Sequence, residues 1–298
     1  MGFPLPGEVG ERAREILAGR LAPVPARDAA TVVLLRDDPL EVYLLRRKAT
    51  MAFAAGAYVF PGGSVDPRDA DHTVAWAGPS PAEWGEVFRA GESTARGLVC
   101  AAVRETFEES GVLLAGPSAD TVVTDTTGAG WEADRLALIA RTLSFAEFLD
   151  RRGLVLRSDL LKAWAHWITP VVEPRRFDTR FFVAALPSGQ RTRDVGGEAS
   201  GVAWMRPRDA LAAARAGTAR MLPPTFRTLT EMAAFESIGD VFARPRSITT
   251  VQPEPAEVDG RMVLMIPQMI TEAIPEAIPG TISETIPETI PETGEAGE

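Results

Sequence analysis

Residues 101–112, AAVRETFEESGV, constrain this chain more than any other stretch. At about 100° per residue, an α-helix puts Glu105, Glu108 and Glu109 on one side, because positions i, i+3 and i+4 share a face. Val99, Cys100, Val103, Thr106 and Phe107 fall on the opposite side and form a stripe fit for burial. Gly111 stands where a helix C-cap is expected. Three acids on one face repel one another unless something positive sits among them. Two readings follow from these residues alone. One is a solvated acidic face; the other is a seat for a hard, oxygen-seeking cation such as Mg²⁺.

The rest of the composition narrows the class by exclusion. The 298 residues carry a formal net charge of -10, but residues 253–298 hold ten acids against a single base, Arg261. The chain before that point is close to neutral, so bulk charge gives no reason to expect nucleic-acid binding. A single cysteine, Cys100, excludes an internal disulfide and a cysteine-based zinc cage. With only His72 and His166, a histidine-rich metal centre is a poor reading. No apolar run reaches membrane-spanning length, and the first residues lack the basic-then-apolar pattern of a signal peptide. A cytoplasmic globular protein with no membrane partner is the expectation.

Residues 8–20 read as a short helix stopped by Pro23 and Pro25. Residues 31–35 and 41–46 are aliphatic and β-branched and flank Asp37-Asp38-Pro39, which predicts a hairpin. Tyr58-Val59-Phe60 predicts a short strand running into Pro61-Gly62-Gly63, a loop whose backbone can approach a ligand closely. Residues 66–97 are mixed in character and read as an insertion, with a helical turn at 82–90. Helices are expected at 131–141, 145–152, 208–216 and 224–237, and strands at 162–168, 180–186 and 202–205. Without a regular βαβ beat, this order favours a mixed sheet with helices packed on it. From residue 265 an Ile/Pro/Glu/Thr-rich unit repeats every four residues. The division expected is a folded domain over 1–252 and an acidic, disordered tail over 253–298.

Phe60-Pro61-Gly62-Gly63 and Arg104-Glu105-Thr106-Phe107-Glu108-Glu109-Ser110-Gly111-Val112 together resemble the two parts of the Nudix box. The helix of that box reads R-E-U-x-E-E-x-G-U, with U apolar. Every fixed polar position is met here, and Thr106 stands where an aliphatic residue is usual. Gly63 and Arg104 lie 41 residues apart, far beyond the spacing of an uninterrupted box, so the box is split by the insertion. The middle glutamate of the box has no clean counterpart, although Asp69 keeps its distance from Gly63. An interrupted box of this kind is similar to that of the animal peroxisomal coenzyme A diphosphatases and their bacterial relatives. FPGGSVDPRDAD, RETFEESGVLLA, HWITPVVEPRRFDTRFFVAALP and MLPPTFRTLTEM also resemble that subfamily, extending the similarity over roughly residues 30–240. The upstream coenzyme A motif is met only in part: Arg47 and Gly56 fit, Lys48 and Ala52 do not.

The resemblance implies an α/β (α+β) fold, a Nudix-type α/β/α sandwich with a mixed sheet. It also implies hydrolysis, dependent on Mg²⁺ or alternatively Mn²⁺, of a nucleoside diphosphate linked to another group. The first substrate it implies is coenzyme A or acyl-CoA, giving 3′,5′-ADP and 4′-phosphopantetheine species. ADP-ribose or NADH is the enzymatic alternative. A ligand sensor without catalysis is another, against which the three intact helix acids count. Glu108 and Glu109 would be core metal ligands and Glu105 a further one, with Gly63 adding its backbone carbonyl. Arg104 would orient Glu105 through a charge-assisted hydrogen bond. Glu198, six residues before Trp204, would be the base or an extra ligand, its other reading being a plain loop acid. Arg47, Arg175, Arg176 and Arg180 are candidates to grip phosphate, since guanidinium binds it in two-pronged fashion; solvated surface charge is the alternative for each. Phe177 or Trp167 could stack on a base, with core burial the better reading of Trp167. Oligomeric state stays open, a homodimer being allowed.

Overall fold

The computed structural model describes residues 2–50, 54–193 and 199–266. The chain opens with β1 (Gly2–Pro4) and α1 (Gly7–Leu17), followed by β2 (Arg27–Arg36) and β3 (Glu41–Arg47). Next come β4 (Tyr58–Val59), β5 (Gly62–Ser64), β6 (Trp76–Ala77), α2 (Pro81–Phe88) and α3 (Glu92–Ser110). The middle of the chain forms β7 (Ala115–Gly116), α4 (Ala129–Ile139), α5 (Phe145–Arg151), β8 (Val155–Arg157), β9 (Leu161–Ile168) and β10 (Phe177–Ala185). It continues through β11 (Ala199–Met205), α6 (Pro207–Arg215), α7 (Pro223–Met232) and α8 (Ile238–Ala243). The described part ends with β12 (Thr250–Val251), β13 (Glu254–Val258) and β14 (Arg261–Met265).

An eight-stranded mixed sheet runs β11-β3-β2-β10-β9-β12, with β4 beside β3 and β5 beside β2. β2 is covered on both faces, which is why its sequence is a continuous apolar run and not an alternation. On one face Ala30, Val32 and Leu34 pack with Val99, Val103 and Phe107 of α3. On the other, Val33 and Leu35 pack with Leu211, Phe226 and Leu229 from α6 and α7. Helices therefore cover both faces of a mixed sheet, as expected.

The hairpin β2–β3 splays open along its length. Leu35 and Arg36 pair with β3, whereas Ala29 to Thr31 pair instead with Ser64 to Gly62 of β5. Residues 58–64 wedge into the gap, and the Val32 N–H donates to the Pro61 carbonyl at 2.9 Å. The wedge carries Gly62 and Gly63 onto the acidic side of α3.

Three expectations need correction. Residues 254–265 belong to the fold: β14 pairs with β1 on one side and β13 on the other. Their prolines and acids argued for a tail. Yet β13 is, among the described residues, an edge strand, where a proline such as Pro255 is tolerated because one side of the strand has no described partner. The remainder of the expected tail, 267–298, lies outside the described residues. Secondly, residues 224–237 are not one helix but end α7 and lead into α8. Thirdly, the expected insertion merges with the box helix, because residues 92–97 are the first turns of the 19-residue α3. Among the described residues, no helix is long and apolar enough to cross a membrane.

Candidate active site

The acids of α3 are organised by a single buried cation from the same helix. Arg104 is 8% exposed, and its Nη1 donates to Glu105 Oε1 at 2.8 Å and to Glu108 Oε1 at 3.0 Å. Its other edge grips Asp69, with Nε to Oδ1 at 3.0 Å and Nη2 to Oδ2 at 2.9 Å, while Nη2 also reaches the Ser64 carbonyl at 2.9 Å. Asp69, 2% exposed, is set by a 3₁₀ turn over Pro67–Ala70, and it accepts the Asp66 N–H at 2.8 Å. Burial works to lower the pKa of Arg104, but the Asp69 hydrogen bond and the surrounding carboxylate charges outweigh it and raise it well above normal. The guanidinium is permanently charged.

The glycine loop meets the helix at contact distance. The Gly62 N–H donates to Glu109 Oε2 at 2.8 Å. A Cβ on Gly63 would fall on the Glu105 carboxylate, so any other residue here would push that carboxylate out of its present position. Burial pushes Glu105 up to about 7, opposed by Arg104, and it raises Glu108 as well. A solvated acidic face would show neither effect. Behind the helix, the fully buried Arg135 of α4 donates to the Glu108 carbonyl at 2.7 Å and pairs with Glu132.

These groups suit a hard divalent cation. The donors are all oxygen, their charge exceeds what Arg104 neutralises, and the absent Gly63 side chain leaves a cradle beside Glu105. Among the described residues, no three acids are yet drawn together as a closed cage. Arg104 holds Glu105 and Glu108 from between, with Glu109 tied to Gly62.

A cavity of about 740 Å³ opens over this corner, of a size that accommodates a nucleotide-like ligand. It brings together Gly63, Arg104, Glu105, Glu108 and Glu109 with Arg47, Arg175 and Phe177. Arg175 lies over the Phe177 ring at 5.3 Å. Arg176 and Arg180, expected as phosphate contacts, are not on its walls. Arg176 is buried and donates to the Thr169 and Val24 carbonyls at 3.0 and 2.7 Å. Arg180 is buried in ion pairs with Asp28 and Asp178, both at 2.8 Å. Both are spent on holding β10 to its neighbours. Glu198 lies outside the described residues. Its described neighbour Ala199 pairs with Arg47 and lines the cavity, and Trp204 donates to the Thr192 hydroxyl at 2.8 Å.

Asp69, noted in the sequence only for its spacing from Gly63, is the partner of Arg104, and the D-P-R-D run held a further signal, its first and last acids making the reciprocal cap of a short turn. Other contributors escaped the sequence. Arg135 had a signal, since it stands between Trp131 and Leu138 on an otherwise apolar stripe. Arg68 and Arg141 also line the cavity, and nothing local distinguishes them from surface arginines. Cys100 is fully buried, and burial pushes its thiol up, in keeping with packing. His166 is tied to Asp178 at 2.5 Å and to Thr250 at 2.8 Å, a structural bridge between β9, β10 and β12.

The fold and the corner define a class: a sheet wedge of glycines placed against an Arg-Glu-Glu-Glu helix. The family model of the NUDT19 Nudix domain matches residues 93–232. A nudix hydrolase of Caenorhabditis elegans is 29% identical over 211 residues, which is 69% of this chain and 60% of that protein. The acyl-coenzyme A diphosphatase NUDT19 of Xenopus laevis is 28% identical over 238 residues, 67% of this chain and 62% of that protein. The chain thus spans less than two thirds of the length of these two relatives. The crystal structure of a NUDIX hydrolase from Alicyclobacillus acidocaldarius superposes with a TM-score of 0.65 at 28% identity, covering 75% of this chain and 98% of that one. Together these matches support a Nudix hydrolase, similar to the coenzyme A diphosphatase-like members of that superfamily.

Proposed function

We propose that the chain is a divalent-metal-dependent diphosphatase that cleaves coenzyme A or acyl-CoA to 3′,5′-ADP and 4′-phosphopantetheine or its acyl form. The observation that carries the reading is the meeting of Glu105, Glu108 and Glu109 with the Gly62-Gly63 backbone at one end of the cavity. The substrate rests on the acyl-coenzyme A diphosphatases among its relatives. Glu108 and Glu109, with Glu105 and the Gly63 carbonyl, would hold Mg²⁺ or Mn²⁺. When bound, the cation offsets the diphosphate charge that otherwise repels a nucleophile.

The chain's own groups do the remaining work. Arg104 fixes the directions of Glu105 and Glu108, and the Gly62 N–H fixes Glu109, so the acids are preorganised. Arg47 and Arg175, which line the cavity, would grip phosphate oxygens, and the Phe177 ring, under Arg175, would stack on the base. Water adds at one phosphorus and the bond to the bridging oxygen breaks. Glu198 would take the proton of the water as base, or serve as an extra ligand.

A substrate panel of CoA, acyl-CoA, NADH, ADP-ribose and dinucleoside polyphosphates, read by product mass, tests the reading. Turnover of CoA species with release of 3′,5′-ADP is expected. Brisk cleavage of ADP-ribose with none of CoA would overturn the substrate assignment.

A further inference from the structure

Part of the cavity lining, an apolar arm, is not used by the diphosphate chemistry. Phe60, two residues before Gly62, lines it with Trp167 and Phe181 of the sheet, all three members of one buried cluster. Distant parts of the chain add Phe3 of β1, which packs against that cluster, Leu264 of β14 and Leu222 before α7. Phe3 and Leu264 are direct cross-strand partners, so their side chains share one face of the small β1–β14–β13 sheet. That sheet lies outside the eight-stranded sheet and packs on it through Phe3, which touches both the α6–α8 core and the smaller core around Leu5 and Met262. Glu173 also lines the cavity, and its carboxyl is pushed up by burial, so that it keeps its proton more readily than an exposed acid.

We propose that this arm is the acyl subsite: it takes the hydrocarbon chain of the thioester, and Phe3, Leu222 and Leu264 set the chain length preferred. The proposal rests on the coenzyme A reading above and adds the place where acyl selectivity resides. A diphosphate held at Glu105, Glu108 and Glu109 shares one continuous cavity with Arg47, Arg68, Arg141 and Arg175 and with this apolar set. The arginines suit the phosphorylated nucleoside. The apolar set gives a hydrocarbon tail a place to leave water, a gain of roughly fourfold in affinity per buried methylene.

The test is a series of free CoA, acetyl-, hexanoyl- and lauroyl-CoA on the whole chain, read as kcat/KM. Binding of each species without divalent metal is measured alongside by calorimetry. Affinity should rise with chain length, by up to about fourfold per methylene, and then level off as the arm fills. Leu222→Trp, at a half-exposed position, should collapse the ratio of lauroyl-CoA to free CoA in both readouts. Phe3→Ala should move the optimum to longer chains. Cleavage of free CoA with no dependence on chain length, or with the length dependence intact in Leu222→Trp, would overturn the acyl subsite while leaving the diphosphatase reading standing. Failure to bind or cleave any CoA species would overturn both.

Discussion

Asp69 and Gly63 show how single residues decide whether the α3 acids are usable. Asp69 neutralises the outer edge of Arg104, freeing Nη1 for Glu105 and Glu108. Asp69→Ala leaves a buried guanidinium short of one partner, which costs about 3 kcal/mol where such a pair is broken. Thermal melting should show this, together with a drop in kcat larger than the change in KM, because the acids lose their fixed directions. Gly63→Ala puts a methyl group where the Glu105 carboxylate stands, so turnover and metal affinity should fall while the melting temperature changes far less. Glu105 also carries a pH signature. Burial pushes it up to about 7, from an ordinary 4.5, so the metal-free fold holds a proton there that the unfolded chain gives up. The stability this group contributes is complete below about pH 4.5 and is lost as pH rises through 7. Melting curves in chelator should therefore fall over that window more in the wild type than in Glu105→Gln. Mg²⁺ binding should weaken below pH 7, because the ligand must first lose its proton.

At the scale of elements, α3 was legible because one helix carries two patterns, an apolar stripe and an acidic face, in a single local run. The hairpin β2–β3 was legible for the same reason, its strands and turn lying within 21 residues. Its splaying was not. That depends on β5 displacing β3 along half of β2, a competition for hydrogen bonds that no local pattern records. Arg176 and Arg180 failed as phosphate ligands for a related reason. Their sequence neighbourhood looks exposed, yet β10 lies between β2 and β9, so both side chains are consumed by the strands and loops on either side. The apolar stripe of α3 gives its own prediction. Phe107 stacks on Phe148 at 5.3 Å and meets Trp131 edge-on, so Phe107→Ala should cost about 3–5 kcal/mol in denaturant unfolding. A loss under 1 kcal/mol would show that this aromatic cluster is not what anchors the helix.

In the molecule as a whole, the ends of the described chain come together. β1 and β14 pair across more than 250 residues, and neither strand shows alternation strong enough to announce itself. Pro4, Pro255 and the acids of β13 argue locally against a sheet; only the edge positions of β1 and β13 make them acceptable. The candidate corner was readable because its residues are concentrated in two short motifs. The apolar arm of the cavity was not, because its walls are assembled from residues 3, 60, 167, 222 and 264. Removal of residues 267–298 should leave turnover intact. Removal from residue 253 onward should lower the melting temperature and erase acyl preference, since it takes β13 and β14 away from β1. Equal behaviour of the two truncations would contradict the place given to the small sheet. The role proposed for the acids of α3, holding the cation on which cleavage depends, is tested most directly by incubating coenzyme A and Mg²⁺ with wild-type protein and with Glu108→Gln and weighing the products. The wild type should release 3′,5′-ADP and 4′-phosphopantetheine, and the variant should be slower by about 100-fold or more. Equal product from both proteins would contradict the account.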